Sequence, residues 1–189
     1  MTDTIEKLGG QEMLAACIAE RAKRLQLPAG LPPSHDRETL LRTLVTFGTQ
    51  LLHEVSDPIV IAVFRLAIAE AVGAPEVARE LNAIGVETSR AALREIMTHA
   101  KSAGVLGGDA AEMAEQFAGL LWGNLMTRLL LRVAERPSPR EIARRAQAAT
   151  TALLQLSWPS GYPEPVNVRR RLREHAPSSR PRCMARRGA

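Results

Sequence analysis

The segment Asp57-Pro58-Ile59-Val60-Ile61-Ala62-Val63-Phe64-Arg65-Leu66-Ala67-Ile68-Ala69-Glu70 decides the fold. Asp57 suits an N-cap, and Pro58 follows at the first helical position, where a missing N–H does no harm. Behind them Ile59, Val60, Ile61, Val63, Phe64, Leu66 and Ile68 leave almost no polar face on a helix reaching about Val72. A helix apolar nearly all round is normally central and covered on every side. Its neighbours should then be helices as well.

Working outward, Leu40, Leu44, Phe47, Leu51 and Val55 recur at helical spacing and predict a helix from about Asp36 to Val55. Upstream, a first helix runs from about Gln11 to Gln26 and is stopped by Pro28, Gly30, Pro32 and Pro33. Downstream, Pro75 opens a fourth helix that reaches about Ser102, with Gly104 as its stop. Asp109 with Glu112 resembles a capping box and opens a fifth, to about Val133. Ser138-Pro139-Arg140-Glu141 is a fuller capping box and opens a sixth, through Ile142, Ala146, Ala149, Leu153 and Leu156. Short β-branched runs and abundant Leu, Ala and Arg favour helix throughout. The expected fold class is all-α, with six helices.

The 189 residues suit one domain with tails. The formal charge of +5 is unevenly spread: residues 159–189 hold eight Arg, no Lys and only Glu164 and Glu174 as acids, which is +6 and leaves the rest at −1. A nearly neutral body is no electrostatic footprint for nucleic acid. The Arg- and Pro-rich segment 158–189 reads as a disordered tail or the product of a shifted reading frame. Met1 to Gly10 has no apolar signal-peptide core, and no apolar run is long enough for a bilayer. Cys17 and Cys183 match no metal or redox spacing, which suits a reducing cytoplasm. The histidines 35, 53, 99 and 175 have no His or Cys partner at i, i+4, and neither a Gly-x-Ser-x-Gly elbow nor a P-loop occurs. The chain therefore reads as a non-enzyme, with no metal and no cofactor.

Several motifs, in order, resemble the C-terminal domain of TetR-family transcriptional regulators of the AefR-like kind. Arg65-Leu66-Ala67-Ile68-Ala69-Glu70-Ala71 followed by Pro75-Glu76-Val77-Ala78 is similar to that family's Arg-Leu-x-Ile-Ala-Glu-Ala segment and the Pro-Glu-Leu start of its next helix. Gly104-Val105-Leu106, Asp109 and Ala114-Glu115-Gln116-Phe117-Ala118-Gly119-Leu120-Leu121-Trp122-Gly123 resemble its Gly-x-Leu turn and penultimate helix. At the front, Lys7-Leu8-Gly9-Gly10 and the residues after it resemble the turn and helix that follow the recognition helix of the helix-turn-helix. The likeness covers roughly residues 7–157. Gly73-Ala74 stand where the family often has Arg-Phe. Ile5 and Gln11 stand where it commonly has a Tyr and a Lys that touch phosphate.

The resemblance implies a sensor and dimerisation domain over residues 11–157, preceded by a remnant of the helix-turn-helix exit at 1–10. About forty residues of DNA-reading head would precede that remnant in the family, so no DNA-binding residues are intact and operator DNA is a partner only with the head restored. The implied effector is a small, largely apolar molecule in a cavity between helices three and five, and Phe64, Arg65, Met97, Phe117, Trp122 and Met126 are its candidate linings. Their spacing equally fits a plain core. Arg65, with Glu70, interrupts the most apolar helix, either as a polar anchor in that cavity or at the helix edge beside Arg79 and Glu80. The implied homodimer is a two-fold four-helix interface on the last two helices, with Leu121, Leu125, Arg128, Ile142, Ala146, Ala149 and Leu153 as its candidate residues. The short turn Glu135-Arg136-Pro137 makes those helices antiparallel neighbours, and Ala146 and Ala149 would permit close approach at the axis. The resulting reading is the effector-binding and dimerising portion of a cytoplasmic repressor. A stand-alone module that pairs with a full-length paralogue, and a small-molecule carrier, are the alternatives.

Overall fold

The computed structural model describes residues 36–73 and 75–156, together with Ala16, Ala19, Glu20 and Lys23. The chain divides into two units, Met1–Pro159 and Ser160–Ala189, and every described residue lies in the first. The proposed remnant at 1–10 and the tail at 158–189 lie outside the described residues. So does most of the first predicted helix, of which the four described residues are helical.

The described elements are helices: α1 (Arg37–Val55), α2 (Pro58–Ala69), α3 (Pro75–Leu81), a π-helical turn (Asn82–Val86), α4 (Glu87–Ser102), α5 (Ala110–Trp122), α6 (Leu125–Leu130) and α7 (Pro139–Leu156). The fold is all-α. Its boundaries follow local chemistry. Asp36 accepts from the Thr39 N–H at 2.7 Å, Asp57 from the Ile59 N–H at 2.9 Å, and Asp109 from the Ala111 and Glu112 N–H groups at 3.0 Å each. At α7 the capping box is reciprocal. The Ser138 N–H donates to Glu141 Oε2 at 2.8 Å, and the Glu141 N–H donates to Ser138 Oγ at 3.3 Å. Glu112 makes no such return to Asp109; it accepts instead from Gln116 at 3.5 Å.

α1 is the central helix. It packs along α7 and also meets α4 and α5. The pairing with α7 is antiparallel: Gly48 lies against Ala146, while the His53 carbonyl accepts from Arg136, just ahead of α7, at 3.0 Å. Leu44, Leu52, Met97, Phe117, Leu121, Ile142 and Leu153 fill the space between these helices. The approach is close because position 48 has no side chain. A Cβ there would stand 3.2 Å from Phe117 Cζ, 3.2 Å from Leu121 Cδ1 and 3.4 Å from Ala146 Cβ.

Three expectations change. α2 is not covered on every side: Ile61, Val63 and Ala67 are buried, but Ile59, Leu66 and Ile68 are 56%, 46% and 61% exposed. It packs mainly on α3 and α6 and has its outer face at the edge of the described fold. The fourth predicted helix is present but carries the π-helical turn at Asn82–Val86. The fifth is broken. Gly123 adopts φ 46° and ψ −123°, a conformation open to glycine alone, and divides it into α5 and α6. α6 then ends with Arg132 at φ 58°, where the Val133 N–H returns to the Arg128 carbonyl at 3.0 Å in the manner of a Schellman turn.

Gly48→Val should destabilise the domain by about 1–3 kcal/mol, because two methyl groups are driven into a packed three-helix contact. Gly48→Ala should be close to neutral, since roughly 1 kcal/mol of helix propensity offsets a few tenths of an ångström of crowding. Urea unfolding of both variants checks this.

The caps also give a pH signature. The backbone N–H and hydroxyl of Thr39 hold the Asp36 carboxyl below its ordinary 3.8. The Glu112 N–H, then that of Ala111, does the same for Asp109. The Ser138 hydroxyl and N–H hold Glu141 below 4.5. A folded-state value below the unfolded one stabilises above the unfolded value and is lost as pH falls through the folded one. Melting temperature should therefore drop below about pH 4. Asp36→Asn with Asp109→Asn, which keep acceptors without charge, should flatten that drop while preserving helicity at pH 7.

Candidate functional site

Two places combine accessible polar chemistry with an apolar lining. The first is where α2 meets α6. Phe64, half-buried, packs with Ala78 against Val63, Ala67 and Leu81, a small cluster separate from the main core. Beside it, Arg65 donates from Nε to the Leu130 carbonyl at 2.9 Å and from Nη2 to the Leu129 carbonyl. These are carbonyls of the last turn of α6, where a cation is favoured; that of Leu129 also accepts from the Arg132 N–H at 3.2 Å.

The six candidate cavity residues are not gathered in one place. Met97 and Phe117 are fully buried in the main core. Trp122 and Met126 are half-buried against that core, Phe64 belongs to the smaller cluster, and Arg65 is held by the α6 carbonyls. Glu70 is exposed at the C-cap of α2.

The second place is an open groove of about 860 Å³ along α5, α6 and α7. Leu52, Leu125, Ile142 and Ala149 form its floor, Leu120, Ala148 and Ala152 its apolar walls, and Arg128, Arg144, Glu135 and Glu141 its charged rim. Four of the seven candidate pairing residues, Leu125, Arg128, Ile142 and Ala149, therefore line it. Leu121, Ala146 and Leu153 face the α1–α7 core and have no exposed surface. Ala149 is itself only 4% exposed, so a charge placed there would disturb the protomer before any partner met it. Among the groove residues that sequence reasoning missed, with Leu52, Leu120 and Ala134, are Ala148 and Ala152, one turn apart on the outer side of α7. Their i, i+4 spacing was a signal, but weaker than the apolar stripe beside it.

Arg145 closes the broken end of α5. Its Nη1 donates to the Trp122 carbonyl at 3.1 Å and to the Leu121 carbonyl at 3.3 Å, and lies 3.4 Å from where a Gly123 Cβ would stand. Arg136 reaches the other way, to the His53 carbonyl at 3.0 Å and to Asp57 Oδ2 at 3.8 Å. It ties the α6–α7 turn to the α1–α2 corner. Among the described residues no cluster of His, Cys, Asp and Glu could hold a metal ion, and no helix is long and apolar enough to cross a membrane.

A family model described as the C-terminal domain of AefR-like transcriptional repressors matches residues 42–156. Three solved structures share the fold. A TetR transcriptional regulator from Agrobacterium tumefaciens superposes with a TM-score of 0.63 at 25% identity, over 84% of this chain and 78% of that one. The flavonoid-responsive regulator FrrA gives 0.63 at 25% identity, over 79% and 76%. A protein described as a TetR-family transcriptional regulator from Mesorhizobium loti MAFF303099 gives 0.58 at 20% identity, over 80% and 71%. No curated protein shows significant similarity to the chain.

Arg65→Met and Arg145→Met keep the length of each side chain but remove the guanidinium donors from helix-end carbonyls. Each should cost about 2 kcal/mol in urea unfolding. Their effects should add, because the two arginines cap different helix ends and share no partner.

Proposed function

Because this chain belongs to the TetR family of transcriptional regulators, with an AefR-like C-terminal domain, we propose that it is the effector-binding and dimerising part of a repressor. The family regulates transcription and is not enzymatic. The proposed effector is a small, largely apolar molecule held beside Phe64 and Arg65 on α2, apart from Met97 and Phe117 in the main core. The proposed partner is a second copy, meeting this one over the groove of α5, α6 and α7. The protein works in the cytoplasm. In a family member that carries DNA-reading heads the effector would alter the spacing of the two heads of the dimer and weaken their hold on paired half-sites.

One observation carries this reading. The Arg65 guanidinium ties α2, next to the Phe64 cluster, to the last turn of α6, which borders the groove. A ligand that shifts α2 must therefore stretch or release two charge-assisted hydrogen bonds to α6. The proposed sensing and pairing regions thus share a mechanical link and not merely a chain.

FrrA is flavonoid-responsive by name, so a planar aromatic molecule of that class is the first probe. In a Trp158→Phe background, flavone should quench Trp122 fluorescence saturably and raise the melting temperature. Phe64→Ala should weaken binding about tenfold, the loss expected for one buried aromatic contact. If neither flavone nor simple apolar aromatics bind, the proposed cavity is misassigned.

A further inference from the structure

Two arginines join α2 to the chain around the end of α6, and they do so from opposite sides. Arg65, in the middle of α2, donates to the Leu129 and Leu130 carbonyls. Arg136, six residues after Leu130, returns to the start of α2. Its Nη2 donates to the His53 carbonyl at 3.0 Å, and its Nη1 lies 3.8 Å from Asp57 Oδ2. Asp57 is the N-cap of α2, and its other oxygen, Oδ1, accepts from the Ile59 N–H at 2.9 Å. Position 65 is thus joined to 129 and 130, and position 57 to 136. The intervening segment runs back along α2, antiparallel to it, over about 12 Å of helix.

Polar contacts hold this segment. Leu131 and Val133 are exposed, so its large apolar side chains bury little. The Leu131, Arg132 and Val133 N–H groups close the end of α6 on the Thr127, Leu129 and Arg128 carbonyls, at 3.0, 3.2 and 3.0 Å. Beyond Val133 no helix forms until Pro139, and Arg136 is the far attachment. Its two partners suit a cation. The His53 carbonyl belongs to the last turn of α1, and the Asp57 carboxylate carries the opposite charge. Ala134, Glu135, Arg136 and Pro137 also line the groove, so this segment is both a tie on α2 and a wall of that groove.

We propose that residues 131–137 are a strap that opens and closes together with α2, so that the helix carrying Phe64 sets one wall of the groove. α2 is held at its start and at its middle, and a tilt in either sense stretches one of the two links. An effector that displaces α2 draws Asp57 away from Arg136 and frees that end of the strap. In the other direction, whatever draws Arg136 into the groove withdraws it from the N-cap of α2. Such coupling is reciprocal by necessity. The proposal rests on the effector reading only for what moves α2; the strap itself belongs to the protomer.

Amide hydrogen exchange of the full-length chain tests it, because segments that open in one event exchange together. Two sets of amides are followed, those of residues 61–66 in α2 and those of Leu131, Arg132 and Val133. Arg65→Met and Arg136→Met should each speed both sets by a similar factor, roughly tenfold or more, as expected for losing hydrogen bonds to a charged group. Asp57→Asn keeps an acceptor for the Ile59 N–H and removes only the charge that faces Arg136, so it should act in the same direction by a smaller factor. Arg145→Met, which removes a helix-end donor elsewhere, should leave both sets at the parent rate. Acceleration confined to the segment that carries the substitution would overturn the strap. If Arg136→Met speeds α1 and α4 equally, it has weakened the whole domain, and Asp57→Asn then decides: unchanged exchange in both sets would overturn the proposal. In the parent, saturating flavone should slow both sets together, and flavone that binds but slows α2 alone would also overturn it. Flavone that does not bind counts against the effector reading, while the exchange of the variants still decides the strap.

Discussion

Breaking a helix exposes carbonyl groups that its next turn would have bonded, and inside a packed domain those carbonyls need donors. The penultimate helix is broken at Gly123, and Arg145 of α7 supplies the donor for the first half. Arg65 of α2 supplies it for the second. Much of the remaining architecture depends on these two contacts. Arg145 can reach Leu121 and Trp122 only if α7 lies beside α5, and the missing side chain at Gly48 allows α1 to seat closely between them. Arg65 fixes α2 to α6 although the apolar contact beneath α2 is small. The same two arginines turn the interruption into a stable feature.

The parts of the fold that were legible in the sequence are those set by local chemistry. Asp36, Asp57-Pro58, Asp109 and the Ser138–Glu141 pair mark helix starts because a short acceptor or a proline is needed there wherever the helix goes. Gly104 marks a stop for a similar local reason; it sits at φ 72°. The break at Gly123 was not legible, because a glycine within a helical pattern is often simply tolerated, and what makes this one a break is an arginine 22 residues further on. The apolar run of α2 predicted full burial, yet periodicity reports how apolar a face is and not how many neighbours arrive to cover it. The π-helical turn at Asn82–Val86 left no sign in composition.

The candidate sites divide along the same line. On α7 the stripe Ile142, Ala146, Ala149 and Leu153 stands out as apolar, and for that reason it is claimed by the protomer's own core. The face of α7 that stays open is the plainer one, with Arg144, Ala148 and Ala152. Periodicity favoured the inward side of α7, because a strong apolar stripe satisfies folding first. Arg65 shows the converse. Its position in an apolar helix marked it as unusual, but its partners are backbone carbonyls on another helix, and no side-chain pattern announces those.

The division of the interior into two clusters has a consequence for how the molecule opens. The main cluster joins α1, α4, α5, α6 and α7 in one continuous body and takes from α2 one buried residue, Ile61, whereas the α2–α3 contact rests on Val63, Ala67 and Leu81 with Phe64 and Ala78 against them. Three buried aliphatic side chains supply on the order of 5 kcal/mol before any ordering cost is subtracted. That is too little to make α2 and α3 as persistent as the body they lean on. Their backbone amides should therefore trade hydrogen with solvent through brief local excursions, while those of α1 and α7 wait for the whole domain to unfold. The region closest to Phe64 is in this sense a part of the chain whose population of closed and open forms is still adjustable, and a modest amount of binding energy would be enough to move it.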